Sequence, residues 1–421
     1  MNIRIINGKR LNLDFTWVDS QSIDIQDGVI VAFDEESKNT DKVIDAKACL
    51  IFPGLTDLNV SLREPGYTAK GCIETETKAA VAGGVTKLCC SPETGPVNDT
   101  RAVTKLINEL ALSANNCEVL PLAALTRGLN GEQLSEYAAL KSAQCVALSN
   151  AYNPIKTLEI TKRCFEYAKT HGLSVFINPI EPSLHKGAMH EGHVSTTIGL
   201  QGISPLSETI AVAQLIQLAA ATGVHLHLSQ LSVADSVEQL RQAKAKGLDV
   251  TADVAIQNLL YTDEKVESFA STYHCLPPLR AEFDRRTLLK GVIDGVIDAV
   301  TSSHQPHEAA AKQMPFAETE PGMSTIEFLL PMAQILDRNK ELDLARFIQS
   351  MTRGSAQVLK QKENLLVVGA VANVSVYDQE AEYCVTSTSI VSRGKNSPLL
   401  GKVIKGKIKA TVYQGRVVYE S

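Results

Sequence analysis

Residues 51–66 read Ile51-Phe52-Pro53-Gly54-Leu55-Thr56-Asp57-Leu58-Asn59-Val60-Ser61-Leu62-Arg63-Glu64-Pro65-Gly66. The segment opens as an apolar run, turns polar from Asp57 onward and closes on Pro65-Gly66, the pattern of a buried strand that leaves a core and enters a turn. Outward from it the same unit recurs. Strands are expected at Ile51 to Leu58, Val85 to Cys90, Val119 to Ala123, Cys145 to Leu148, Ser174 to Ile177, Val224 to Leu228, Asp249 to Val254 and Ile297 to Thr301, with amphipathic helical stretches between them. Eight such units predict an α/β chain closed into a (β/α)8 TIM barrel, whose chemistry sits at the carboxyl ends of its strands.

Two helical stretches carry explicit signals. Ser232 followed by Asp235 has the form of a capping box, Val233, Val237 and Leu240 follow at helical spacing, and Gly247 supplies a stop. Leu206 to Ala221 holds Ile210, Val212, Leu215, Ile216 and Leu218 with few charges, which predicts a well-buried barrel helix. Residues 1–50 and 365–421 differ: they are rich in Val, Ile, Thr and Tyr, with turn signals at Gly8, Asp27-Gly28, Gly369, Lys395-Asn396 and Gly415. They predict one small β-domain assembled from both termini around a barrel of residues 51–364.

Composition excludes several function classes. A net charge of -6 and scattered Lys and Arg leave no basic field for phosphate backbones, so no nucleic-acid partner is expected. The start, Met1-Asn2-Ile3-Arg4-Ile5-Ile6-Asn7-Gly8, reads as a short strand into a turn rather than a signal-peptide core. No window approaches 18 uninterrupted apolar residues, so a cytoplasmic protein without membrane contact is expected. Nine cysteines is an odd number; Cys89, Cys90, Cys117, Cys145 and Cys164 lie in apolar runs, as reduced buried thiols do, and the paired C-x-x-C units of a zinc ribbon are absent.

The 51–66 segment resembles the dihydroorotase signature G-L-x-D-x-H-x-H-L-R-E-P-G, specific to that branch of the amidohydrolases. The resemblance continues in order through Ala82-Gly83-Gly84-Val85-Thr86, Glu191-Gly192, Gly199-Leu200-Gln201-Gly202, Pro277-Pro278-Leu279-Arg280, His304-Gln305-Pro306-His307, Pro321-Gly322 and the closing Gly406 to Tyr419 strand pair. It spans almost the whole chain and implies an amidohydrolase-type barrel.

The departures fall on the chemistry. Where the family has its first-strand H-x-H zinc ligands, this sequence has Asn59 and Ser61. The position resembling the bridging acid of Lys-Glu-Asp is Cys72, in Lys70-Gly71-Cys72. The ligand histidines after strands five and six correspond to Asn178 and Gln230, and the metal-binding, proton-shuttling Asp of strand eight to Ser303. Among substrate contacts, Glu93 stands at the Asn of M-P-N-T and Leu276 at the Asn of K-V-N-P-P-L-R, while Arg63 and His307 retain the family's residues as anion contacts.

Zinc takes thiolate, imidazole or carboxylate ligands, and Asn, Gln and Ser are neutral oxygen donors too weak to replace them. A four-ligand zinc site is worth roughly 10 to 16 kcal/mol, so losing the whole set removes essentially all affinity. Without the metal a water keeps its pKa near about 15.7 instead of about 7, on the order of 12 kcal/mol in making hydroxide. A placed general base offsets only about 3 to 5 kcal/mol of that. No metal, no cofactor and no catalytic residue are therefore expected.

Other clusters are weaker. His185, His190 and His193 match no common ligand spacing and read as a surface loop. Cys72 with His304 as its base would make a hydrolase of new mechanism, against the commoner reading of a small buried thiol. His225 and His227 alternate with Leu226 and Leu228 and are expected to face the barrel interior together. Among proteins resembling dihydroorotase, members without metal ligands are associated with aspartate carbamoyltransferase, the barrel being architectural. The resemblance thus implies a non-catalytic scaffold in pyrimidine biosynthesis, in a hetero-oligomer or homo-oligomer. The alternatives are an active amidohydrolase with a rebuilt site and a sensor of a carboxylate-bearing pyrimidine precursor.

Overall fold

The computed structural model describes residues 2–35 and 40–421. Eight parallel strands form the barrel: β1 (Leu55–Val60), β2 (Val85–Cys90), β3 (Glu118–Ala124), β4 (Ala147–Ser149), β5 (Ser174–Ile177), β6 (Leu226–Leu228), β7 (Val250–Ala255) and β8 (Ala299–Thr301), each paired with its chain neighbour. The ring closes through a parallel bridge between Val60 and His304, where Ser61 N–H donates to His304 O at 2.9 Å. These strands are buried on both faces, which is why they read as continuous apolar runs. Cys89, Cys90, Cys117, Cys145 and Cys164 are free thiols within that core, and burial pushes Cys90 up to about 12.

Among the helices are α1 (Ile73–Ala82), α2 (Arg101–Ala114), α3 (Tyr137–Ser142), α4 (Leu158–Thr170), α5 (Pro205–Thr222), α6 (Ala234–Ala245), α7 (Glu282–Ile293) and α8 (Leu329–Arg338). Two expectations about them need correction. The start of α6 takes no side-chain cap from Ser232; Asp284 of α7 accepts from Ala234 N–H at 2.8 Å instead, while Ser232 bonds Glu208 and Arg280. Helix α5 begins on Pro205 and ends at left-handed Gly223, but it is not buried all round, because its outer side faces solvent: Leu206 is 55% and Ile210 38% exposed.

The small β-domain draws on both termini: Ile3–Leu11, Trp17–Gln26, Val29–Phe33, Lys42–Asp45, Leu50–Pro53, Val374–Cys384, Val403–Tyr413 and Arg416–Glu420 make one sheet around an Ile- and Val-rich core. The run read as one strand over Ile51 to Leu58 is two. Leu50–Pro53 pairs with Val374–Tyr377 in the small sheet, and the chain crosses to β1 at Gly54, where a Cβ would lie 2.2 Å from Thr86 Oγ1. Gly8 is not a turn but lies within a strand, its hydrogens against Ile51, where a Cβ would meet Cδ1 at 2.5 Å. Asp27-Gly28 and Gln414-Gly415 do form tight hairpin turns, all four residues at positive φ. Residues 386–402, between two strands of the small sheet, fold back onto the loop after β8: Asn396 accepts from His307 N–H at 2.8 Å and donates to Gln305 O at 2.9 Å and Gly322 O at 3.1 Å. No helix among the described residues is long and apolar enough to cross a membrane.

Candidate functional site

The strand ends converge on Gln230, two residues past β6. Its Oε1 accepts from Asn178 Nδ2 at 2.8 Å and from the Tyr152 hydroxyl, its Nε2 donates to Ser303 Oγ, and its backbone N–H donates to Asp253 Oδ1 at 2.9 Å. Tyr152 also reaches Leu276 O at 2.6 Å, so one phenolic proton faces two acceptors. Turning the Gln230 and Asn178 amides end for end keeps every link and frees that proton for Leu276 O. Burial, with Glu93 nearby, holds the Tyr152 phenol well above its ordinary range. Asn178, Gln230 and Ser303 thus meet in one buried amide and hydroxyl knot.

Beneath the knot, His227 Nε2 lies 2.8 Å from Asp253 Oδ2, and both His225 and His227 reach Thr251 Oγ1, at 3.1 and 2.9 Å. Burial and the neighbouring His227 push His225 down to about 4. Asn59 is half-buried at the end of β1 and Ser61 is buried just beyond it; Asp57 between the strand ends accepts from Ser302 N–H at 3.1 Å, and burial raises its carboxyl to about 6.

A second cluster removes His304 from solvent. Its Nδ1 accepts from Thr325 N–H at 3.1 Å, so Nε2 carries the proton and donates to Glu76 Oε2 at 2.9 Å. Burial opposes ionisation of Glu76, but His304, Ser392 and Thr75 outweigh it and hold the carboxyl below its ordinary range. Cys72 caps the start of α1 with its Sγ 3.4 Å from Thr75 Oγ1, and no hydrogen bond among the described residues joins it to His304. His304 is therefore not placed as a base for Cys72, since both of its ring nitrogens have other partners.

The retained anion contacts sit together. Arg63 Nη2 lies 3.2 Å from His307 Nε2 and Arg63 Nε donates to Pro306 O at 3.2 Å. Burial and the Arg63 charge push His307 down to about 3. Glu93 accepts from Ser91 Oγ at 3.3 Å and Asn153 Nδ2 at 3.5 Å; burial raises its carboxyl, with Arg63 pulling the other way. Lys312, lowered to about 8 by burial, donates to His274 O at 3.2 Å. The three loop histidines do not converge. His190 is buried in a short strand 3.3 Å from Arg280 rather than on a surface loop, His185 contacts Ser207, and His193 is exposed.

Sequence reasoning named five of the residues at the strand ends but missed Tyr152 and Glu76. Asn150-Ala151-Tyr152-Asn153 follows β4 as an ordinary polar turn, and its only signal is that position. Backbone strain marks the same ring: Arg63, Gln230 and Ser303 all sit at left-handed φ, 65°, 57° and 48°.

A barrel with its polar cluster at the strand ends and an accessory β-domain defines the amidohydrolase class. Superposition agrees: L-hydantoinase from Arthrobacter aurescens matches with a TM-score of 0.88 over 99% of this chain and 96% of its own at 20% identity. D-hydantoinase from Thermus sp. matches with a TM-score of 0.81 over 99% and 95% at 18% identity. At sequence level, the dihydro-orotase-like family profile matches residues 48–236. A dihydroorotase-like protein of Pseudomonas aeruginosa is 43% identical over 90% of both chains, and a dihydroorotase of Anaeromyxobacter sp. (strain K) is 36% identical over 100% of this chain and 98% of its own. The chain belongs to the dihydroorotase family of the amidohydrolase superfamily.

The residues at the strand ends do not fit the family's zinc. Among the described residues no three His, Cys, Asp or Glu side chains converge to hold a metal ion, and the groups that do converge are two amides, a serine and a phenol. Neutral donors already bonded to one another are poor zinc ligands.

Proposed function

We propose that this chain is a non-catalytic, dihydroorotase-like subunit of pyrimidine biosynthesis that binds and stabilises aspartate carbamoyltransferase. The observation that carries the reading is the Gln230 knot. Asn178, Gln230 and Ser303, at the positions that resemble metal ligands, are hydrogen-bonded to one another and to Tyr152. Opening the knot to admit a cation would leave buried amide groups unpaired, at about 1–3 kcal/mol each, with Asp253 the adjoining carboxylate and both of its oxygens already held, by His227 and by Gln230 N–H. Activation of water would then rest on His227 and His304, each already paired with a buried carboxylate.

The partner follows from the family resemblance, and the test is direct. Mixed at micromolar concentration, the two proteins are expected to co-migrate, and the purified barrel to bind substoichiometric zinc. Separate migration removes the scaffold, and stoichiometric zinc with turnover of dihydroorotate restores the enzyme. Asn59→His, Ser61→His, Asn178→His, Gln230→His and Ser303→Asp together are expected to recover partial zinc binding at best, because Tyr152 and Leu276 still occupy their places around the site. The contact of Arg63 with His307 favours a second reading, a sensor gripping a carboxylate. Calorimetry with carbamoyl-aspartate or dihydroorotate tests it, and absence of heat counts against it.

A further inference from the structure

Below the Gln230 knot a line of polar side chains runs through the barrel interior, from Ser174 at the start of β5 to Asp253 of β7. Its links are Ser174 Oγ to His225 Nδ1 at 2.8 Å, His225 Nε2 to Thr251 Oγ1 at 3.1 Å, Thr251 Oγ1 to His227 Nδ1 at 2.9 Å and His227 Nε2 to Asp253 Oδ2 at 2.8 Å. Counting hydrogens fixes their direction. A carboxylate only accepts, so His227 Nε2 carries a hydrogen, and the bare Nδ1 of neutral His227 takes the one hydrogen of Thr251. Thr251 Oγ1 is left to accept, so His225 carries its hydrogen on Nε2 and its Nδ1 accepts from Ser174. All four links point toward Asp253.

The two ends differ in their access to water. Ser174 and Thr251 are half-buried toward the barrel floor, where the surface ion pair of Lys360 and Asp249, 2.7 Å apart, faces His225. His227 and Asp253 are 0% and 1% exposed, and the Phe176 ring of β5 closes the flank of His227 with centroids 4.5 Å apart. Above them Asp253 Oδ1 accepts from Gln230 N–H at 2.9 Å, beneath the neutral Asn178, Ser303 and Tyr152 groups. Asp57, the other carboxylate on the barrel strands, is turned to Ser302 N–H.

We propose that this line is a proton relay, taking one proton from water at the floor and holding it under the Gln230 knot as an imidazolium–carboxylate pair of His227 and Asp253. The proton binds His225 Nδ1, the Nε2 hydrogen of His225 passes to Thr251 Oγ1, and the Thr251 hydrogen passes to His227 Nδ1. One N–H bond forms on each imidazole, one breaks on His225, and one O–H bond forms as another breaks on Thr251. His225 ends neutral, its hydrogen now on Nδ1 and donated to Ser174. Thr251 ends donating to His225 Nε2 and accepting from His227 Nδ1. The charge rests at the driest point because a buried cation needs a counter-charge. His227 touches a carboxylate; His225 does not, and burial and the neighbouring His227 push it down to about 4. The floor thereby sets the charge beneath the mouth without any group at the mouth titrating. The relay stands independently of whether the barrel retains catalysis or binds a partner.

Two-bond proton–nitrogen correlation spectra of the full chain carrying 15N-histidine, assigned with His225→Gln and His227→Gln, read which ring nitrogen holds each hydrogen. At about pH 9 both imidazoles are expected as neutral Nε2–H tautomers. As pH falls toward about 5, His227 is expected to gain a second hydrogen while His225 exchanges Nε2–H for Nδ1–H, both changes following one titration curve. Thr251→Val cuts the relay and is expected to leave His225 in its Nε2–H form throughout. Thr251→Ser, which keeps the hydroxyl, is expected to restore the joint change, a rescue that a packing defect would not produce. Asp253→Asn is expected to leave His227 neutral. The proposal is overturned by an Nδ1–H tautomer of His225 at the alkaline end, by separate curves for the two histidines, by no change in either, or by a joint change that survives Thr251→Val.

Discussion

Gln230 ties four strand ends together through a single side chain, so its neighbours are coupled. Tyr152→Phe keeps the ring and removes only the hydroxyl, leaving Leu276 O without its 2.6 Å donor in a buried place. We expect a loss of about 1–3 kcal/mol in urea unfolding, with Gln230→Ala costing more because it opens Asn178 and Ser303 as well. A Tyr152→Phe protein as stable as wild type would mean the knot holds nothing together. Much of this ring was readable beforehand, since Asn59, Ser61, Asn178, Gln230 and Ser303 stand out wherever a family pattern demands an imidazole or carboxylate. Glu76 was not. It lies within α1 among Glu74 and Thr75 and reads as one more polar helix residue; its burial comes from Ser392 and Arg393, over 300 positions away in sequence. A contact of that range leaves no local pattern.

Elements show the same division between local and remote causes. The pair Gly83-Gly84 between α1 and β2 is legible as a stop and a turn, but only the packed structure shows why each is needed. A Cβ on Gly83 would lie 2.1 Å from Ile326 O, while Gly84 sits at φ 80°. Gly83→Ala presses on backbone that cannot rotate away, and we expect it to cost about 2 kcal/mol or more. Ala48 is the converse case: exposed, in the turn between two small-domain strands, with φ at 61°. Ala48→Gly removes the left-handed penalty of a Cβ and is expected to stabilise the protein by about 1 kcal/mol. Thermal melts of the two variants should move in opposite directions, and a shared sign would refute the backbone argument. The break at Gly54 was hidden because apolar residues flank it on both sides, and the cap of α6 was hidden because Asp284 arrives from another helix.

At the scale of the whole molecule, buried histidines set the response to acid. Burial is the main cause that pushes His190, His225 and His274 down to about 4 and His307 to about 3, aided by Arg280, His227, Lys312 and Arg63 in turn. Below pH 6.5 the unfolded chain takes up these four protons while the folded chain refuses them, so stability falls as pH falls through that window. Asp57 and Glu327 act in the opposite sense: burial raises them to about 6 and about 7, so the folded chain holds two protons that the unfolded chain releases above its ordinary carboxylate range. His185, also lowered by burial, adds to the imidazole side, and Glu93, Asp263 and Asp284, also raised by burial, add to the carboxyl side; the direction follows the imidazoles, whose ordinary value lies within this window. The histidines win, and unfolding free energy measured in urea should therefore decline steadily from pH 6.5 to 5. Replacing His225 by Gln, which can still bond Ser174 and Thr251, removes one titrating group and should flatten the slope. A stability that is level across this range, or that rises toward pH 5, would show that these imidazoles are protonated inside the fold and that the polar networks of the barrel are arranged around charge rather than around neutral hydrogen bonds.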